Sequence, residues 1–233
     1  MKLFKYSFSL VLLFSTLTLV GQSTETRAVD NFKSISIQSG IDLHLTQSSN
    51  PSVEIKAKSD MMDKIITKVE GGRLKIYIDK QNWKWNKWNS TGPMDAYVSV
   101  ANLESLTASG GSDVESRGTW KSDDFEIEAS GGSDIEMTLD VDILEVTCSG
   151  GSDIDLDGSV DKLELTSSGG SDFNGRKLIA KDVNIRSSGG SDVYIHVSDK
   201  LVARASGASD IHYSGNPQIR DIDTSSSSDV KKY

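Results

Sequence analysis

Seven aspartates recur at near-constant spacing. They are Asp113, Asp134, Asp153, Asp172, Asp192, Asp210 and Asp229, separated by 21, 19, 19, 20, 18 and 19 residues. Each closes a short motif: SGGSD from Ser109, Ser130, Ser149, Ser168 and Ser188, then SGASD from Ser206 and SSSSD from Ser225. Carboxylates brought into register one strand apart would lie about 5 Å from one another. At that distance they repel by about 1 kcal/mol per pair in water. A hard cation such as Ca2+ held between neighbours would offset the repulsion, since oxygen ligands suit it. So would a local arrangement in which Asp and Ser side chains accept backbone N–H groups of a tight turn. The repeats lack the glycine- and aspartate-rich nonapeptide of calcium-binding β-rolls. The turn-stabilising role is therefore the primary reading of the seven aspartates, and metal binding the secondary one.

A second group with chemical potential is NWKWNKWN, Asn82 to Asn89, which holds Trp83, Trp85 and Trp88, three of the four tryptophans. Aromatic rings among Asn and Lys suit stacking on sugars or contact with a protein partner. The competing reading folds them back as a lid over one end or face of the fold. Catalysis has little support. His44, His196 and His212 stand at separate strand positions, and no nucleophile elbow, metal-ligand spacing or phosphate loop is present.

The elements that must position these residues follow from the repeat itself. Before each turn runs an alternating apolar segment (FEIEAS from Phe125, LEVTCS from Leu144, LELTSS from Leu163), and after it another (DIEMTL from Asp134, DVYIHV from Asp192). Period-two alternation predicts strands with one buried face. A hairpin meander and a stacked β-solenoid both use such units, and the columns decide for the solenoid. The position before the first Ser is always small: Ala108, Ala129, Cys148, Ser167, Ser187, Ala205, Thr224. The position after the Asp is always apolar: Val114, Ile135, Ile154, Phe173, Val193, Ile211, Val230. The last Ser of the motif never varies. Stacking like on like requires such identity, whereas a meander does not. The prediction is an all-β, single-domain parallel β-helix (β-solenoid) with coils of about 19 residues, its seven regular coils forming a rod of roughly 30 Å. Cys148 then fills a slot where other coils place Ala or Ser, as a buried and inert thiol. Residues 27–100 read as irregular first coils, with degenerate turns at Ser39-Gly40 and Gly71-Gly72. Residues 80–93 form a Trp-rich insertion, and 101–233 the regular coils. At most one turn of helix is expected within 60–69. Lys231 and Lys232, with Pro217 upstream, read as protection of the last sheet edge.

The first 21 residues read as a signal peptide: Lys2 and Lys5, an apolar run from Phe8 to Val20, and Gly21 near the cleavage point. No cysteine follows the run, which argues against lipid attachment there, and no second apolar stretch follows it. The chain carries 25 basic and 34 acidic side chains, a net charge of −9; loss of Lys2 and Lys5 makes this −11. Such a charge disfavours nucleic acid and anionic membranes as partners. The single cysteine forms no intramolecular disulfide.

Three segments in order, FKSISIQSGIDLHLTQ (from Phe32), VEGGRLKIYI (from Val69) and VSVANLESLTASGGSDVES (from Val98), resemble the head GIN domain family of putative auto-transporter adhesins from Bacteroidetes-type cell envelopes. The resemblance covers residues 27–215. It implies a right-handed parallel β-helix, and the signal peptide places the mature chain in the periplasm or beyond it. Nothing after Asp229 resembles a translocator barrel. Together, residues and resemblance give a secreted, non-enzymatic adhesin or envelope module that binds a surface glycan or an envelope protein. The alternatives are a carbohydrate-active β-helix enzyme and a cation-stabilised structural rod.

Overall fold

A computed structural model describes residues 21–79, 92–225 and 227–233. The strands are β1 (Gln22–Thr26), β2 (Ser34–Gln38), β3 (Asp42–Gln47), β4 (Ser52–Lys58), β5 (Ile65–Glu70), β6 (Arg73–Ile78), β7 (Asp95–Val100), β8 (Ser105–Ser109), β9 (Val114–Ser130), β10 (Asp134–Ser149), β11 (Asp153–Gly169), β12 (Asp172–Gly189), β13 (Asp192–Gly207), β14 (Asp210–Gly215), β15 (Ile219–Thr224) and β16 (Asp229–Lys232). One helical turn, α1 (Ser59–Met62), follows β4.

The regular part is a β-solenoid of about 7 turns with coils of about 19 residues. β9 to β13 pair in parallel, each with the next. The β10–β11 register runs from Asp134↔Asp153 to Ser149↔Ser168, with like residues aligned almost throughout. Besides the bulges of β9 and β12, the long strands β9 to β13 all change phase at one shared place. Alternation of buried and exposed residues holds along β10 until Asp142 and Ile143, which are both exposed, and then resumes in the opposite phase. Asp161-Lys162 and Lys181-Asp182 repeat the pattern. Two consecutive outward residues are what turns the inward face back on itself, so every coil has a second corner opposite the glycine corner. This gives two faces, one after the glycine corner (the Asp side) and one before it.

The interior is filled by the predicted columns. Ile135, Ile154, Phe173, Val193 and Ile211 are at most 1% exposed, and Ala108, Ala129, Cys148 and Ser167 line the same core at the corner. Each Val, Ile or Leu buried in this way contributes about 1.5–3 kcal/mol relative to exposure. The columns fail only at the C-terminal end. Thr224 is exposed and Val230 half-buried, because no further coil covers them. Lys231 and Lys232 lie exposed on the final strand as expected, while Pro217 is buried just ahead of β15.

The N-terminal part departs from a simple succession of coils. β2 and β3 form a coil that stacks directly on β8 and β9. The next coil outward is made by β6 and β7, which come later in the chain. Gly71-Gly72 is not a solenoid corner. β5 and β6 pair antiparallel from Ile65↔Ile78 to Glu70↔Arg73, and the two glycines, at φ 59° and 75°, close a two-residue hairpin. Consecutive positive φ angles in a two-residue loop match the twist of an antiparallel hairpin. β4 adds antiparallel to β7, and β1 antiparallel to β4, so the parallel stack ends in an antiparallel cap.

Candidate functional site

The glycine corners bring the aspartates together. Asp134, Asp153, Asp172, Asp192, Asp210 and Asp229 are successive register partners. Asp113 precedes them, since Val114 pairs with Ile135. The column also continues past Asp113. Leu43 pairs with Val114, and Asp42 pairs with Asp95. Nine aspartates therefore form one ladder, two more than the motif count. Asp42 was available in SGID, where the turn is one residue shorter; Asp95 follows the Trp-rich insertion and carries no motif.

The ladder is built to accept backbone donors. The Asp113 N–H donates to Asp42 Oδ1 at 3.4 Å, that of Asp134 to Asp113 Oδ1 at 3.4 Å, and that of Asp192 to Asp172 Oδ1 at 3.2 Å. Burial, then the charges of Asp113 and Asp153, raise the Asp134 carboxyl above its ordinary value. Burial is also the first cause at Asp42, followed by an opposing N–H bond from Asp113 and then by the charges of Asp113 and Asp95. The repulsion anticipated from the sequence is thus present, and hydrogen bonds along the chain partly offset it. Among the described residues, no cluster of three or more His, Cys, Asp or Glu has the geometry to hold a metal ion.

Beneath the aspartates runs a ladder of buried serines. Ser112 and Ser133 accept the N–H groups of Ile41 and Ser112, both at 3.2 Å. From Ser152 onward the hydroxyl instead donates to the carbonyl three residues back: Ser149, Ser168, Ser188 and Ser206 accept at 2.7 to 3.1 Å. A buried hydroxyl without a partner is costly, so the constant Ser is explained by this carbonyl and N–H traffic. Cys148 is wholly buried, and burial pushes its thiol up to about 11. It packs as the sequence predicts.

Outward on the Asp side, the next column reads Tyr97, His44, Glu115, Glu136, Asp155, Asn174, Tyr194, His212 and Lys231. Its middle is acidic and its flanks aromatic. His44 stacks on Tyr97 at 4.6 Å and meets Asp95 at 3.0 Å; His212 stacks on Tyr194 at 4.6 Å. The Arg176 guanidinium covers the other side of Tyr194 at 3.5 Å. His196 bonds Ser214 at 3.0 Å. The three histidines are held by three separate sets of partners and form no common centre. Glu115, Glu136, Asp155 and Asp157, together with Arg176 and Lys177, line a depression of about 310 Å³ between the bulges at Arg117-Gly118 and Gly175-Arg176.

Trp83, Trp85 and Trp88 lie outside the described residues, as do residues 1–20, which make up nearly all of the expected signal peptide of residues 1–21. The described chain runs to Asp79 after β6 and resumes at Gly92 ahead of β7. The fourth tryptophan, Trp120, is 1% exposed and belongs to the core. No helix among the described residues is long and apolar enough to cross a membrane.

The fold is shared with solved structures of low sequence identity. A putative adhesin from Bacteroides fragilis superposes with a TM-score of 0.86 at 22% identity, over 91% of this chain and 97% of that one. A putative lipid binding protein from Parabacteroides distasonis gives 0.72 at 20% identity, over 90% and 96%. A putative adhesin from Parabacteroides merdae gives 0.67 at 18% identity, over 91% and 96%. No curated protein sequence matches the chain significantly. The family model described as putative auto-transporter adhesin, head GIN domain, matches residues 31–217, and the chain belongs to that family.

Proposed function

We propose that the chain is an exported, non-enzymatic binding module of the adhesin type. It takes a surface glycan or an envelope protein on the open faces of its coils, with Trp83, Trp85 and Trp88 contributing to binding. One observation carries this reading: the outward side chains stand in register columns that run from coil to coil along open faces. The carboxylates of the Asp side share a single surface. Glycoside cleavage instead needs two carboxyl groups flanking one bond. An array of polar columns across several coils suits an extended or macromolecular partner, which buries area on more than one coil. Membership of the adhesin family supports the same reading, and the leader ahead of β1 supports export.

The test is a glycan and envelope-protein array probed with the mature chain and with the triple variant Trp83→Ala, Trp85→Ala, Trp88→Ala. Binding by the mature chain that the triple variant loses is the expected result. Equal binding by both removes the tryptophans from the site. Release of reducing ends from any bound polysaccharide would establish cleavage and overturn the non-enzymatic reading.

A further inference from the structure

We infer that the face before the glycine corners holds a binding site for carboxylated sugars, centred on Arg186 and Arg204. It rests on the binding-module reading above and names a ligand class for it. The outward column of this face runs Thr147, Thr166, Arg186, Arg204, Asp223 in register. Arg186 and Arg204 are register partners on adjacent strands of a parallel ladder, a placement of like charges that is unfavourable unless one of them is neutralised. In a chain with a net charge of −9, the pairing stands out.

The two arginines differ in their contacts. Arg204 is fixed: it donates to Asp221 Oδ2 at 2.7 Å, to the Asp221 carbonyl at 3.1 Å and to the Ala203 carbonyl at 3.2 Å. Arg186 is exposed and makes no ion pair among the described residues. Both line an open groove of about 520 Å³ with Thr166, Ser188, Ser206 and Ser225, and Asp223 lines its far end beside Arg204. Fork-shaped guanidinium donors match a carboxylate bidentately. The hydroxyls come from successive coils and repeat at the strand spacing of about 4.8 Å. A uronate polymer presents the matching chemistry: one carboxylate per sugar, flanked by hydroxyls, in a repeating chain. The carboxylate would take the free fork of Arg186, with Arg204, held by Asp221, beside it.

The experiment titrates the mature chain with polygalacturonate, its methyl-esterified form, free galacturonate and acetate, at low and high salt. Arg186→Ala and Arg186→Lys are titrated alongside, each checked for an unchanged thermal melt. The expected result is salt-sensitive binding of polygalacturonate over the ester. Arg186→Ala should weaken it about tenfold or more, because a hydrogen bond to a charged group is lost. Arg186→Lys should fall between, since it keeps the charge and loses the fork. Equal affinity for acid and ester, equal affinity of wild type and Arg186→Ala, or acetate competing as well as galacturonate would each overturn the site. If the array shows neutral-glycan or protein binding and polygalacturonate does not bind, this site fails while the binding-module reading stands. If neither the array nor the titration shows binding, both fail.

Discussion

At the glycine corners, single residues differ in ways that the motif alone hides. The first glycine carries positive φ in every corner from Gly110 to Gly207, whereas the second does so only as far as Gly151. A Cβ at Gly189 would stand 2.7 Å from the Gly169 carbonyl oxygen, at φ 84°. At Gly190 the nearest such atom is 3.7 Å away and φ is not positive. Ala208 already occupies the equivalent place in the next corner. Gly189→Ala should therefore cost about 3 kcal/mol, from left-handed backbone strain plus the displaced coil, and Gly190→Ala within about 0.5 kcal/mol. Thermal melts of the two variants check this. Ser39 is the converse case, a non-glycine residue held at φ 73° where the stacked corners use glycine. Ser39→Gly should stabilise by about 1 kcal/mol, a rise of about 2–4 °C in Tm.

At the scale of elements, the Asp ladder couples folding to pH. The Asp134 carboxyl is raised in the folded chain, chiefly by burial and then by its two neighbours. A raised acid binds more protons folded than unfolded. Its contribution to stability therefore falls as pH climbs from the ordinary carboxylate value through the raised one. Asp134→Asn keeps an acceptor and removes the charge. It should raise stability at pH 7 by a few tenths to about 1 kcal/mol, solvent screening included. The gain should vanish below the ordinary carboxylate value, where the wild-type group is protonated in both states. Denaturant titrations at both pH values measure it; equal gains would refute the charge account. The ladder was largely legible in the sequence because parallel stacking copies a residue type from coil to coil. Ser112 and Asp113 announce Ser133 and Asp134. What was not legible lacks that copying. Asp95 has no motif. Arg186 and Arg204 share a column with Thr and Asp. Gly71-Gly72 resembles a corner in composition, yet closes a hairpin because β5 pairs with β6 and not with the preceding coil. The second corner escaped notice because its signal is only two adjacent outward residues, such as Asp142 and Ile143.

For the whole molecule, the charges decide how it responds to ions. The net charge of −9 is spread over both faces, and the nine-rung ladder concentrates part of it along one edge. Ion pairs such as Lys121–Asp140 at 2.9 Å and Lys181–Asp161 at 2.6 Å tie neighbouring coils at the opposite corner, where both partners are well exposed. Pairs of that kind contribute little individually. Repulsion along the ladder is longer in reach and is screened over a Debye length of about 10 Å at 0.1 M salt. Added NaCl should therefore raise the melting temperature. Ca2+ should raise it no further at matched ionic strength, and EDTA should leave it unchanged, because Asp42, Asp113 and Asp172 already accept N–H groups from the next coil. A specific ion bound to the folded state alone would instead stabilise in proportion to the logarithm of its concentration. A Ca2+ series at constant ionic strength separates the two: a flat line supports the screened ladder, and a rising line would place an ion between its rungs.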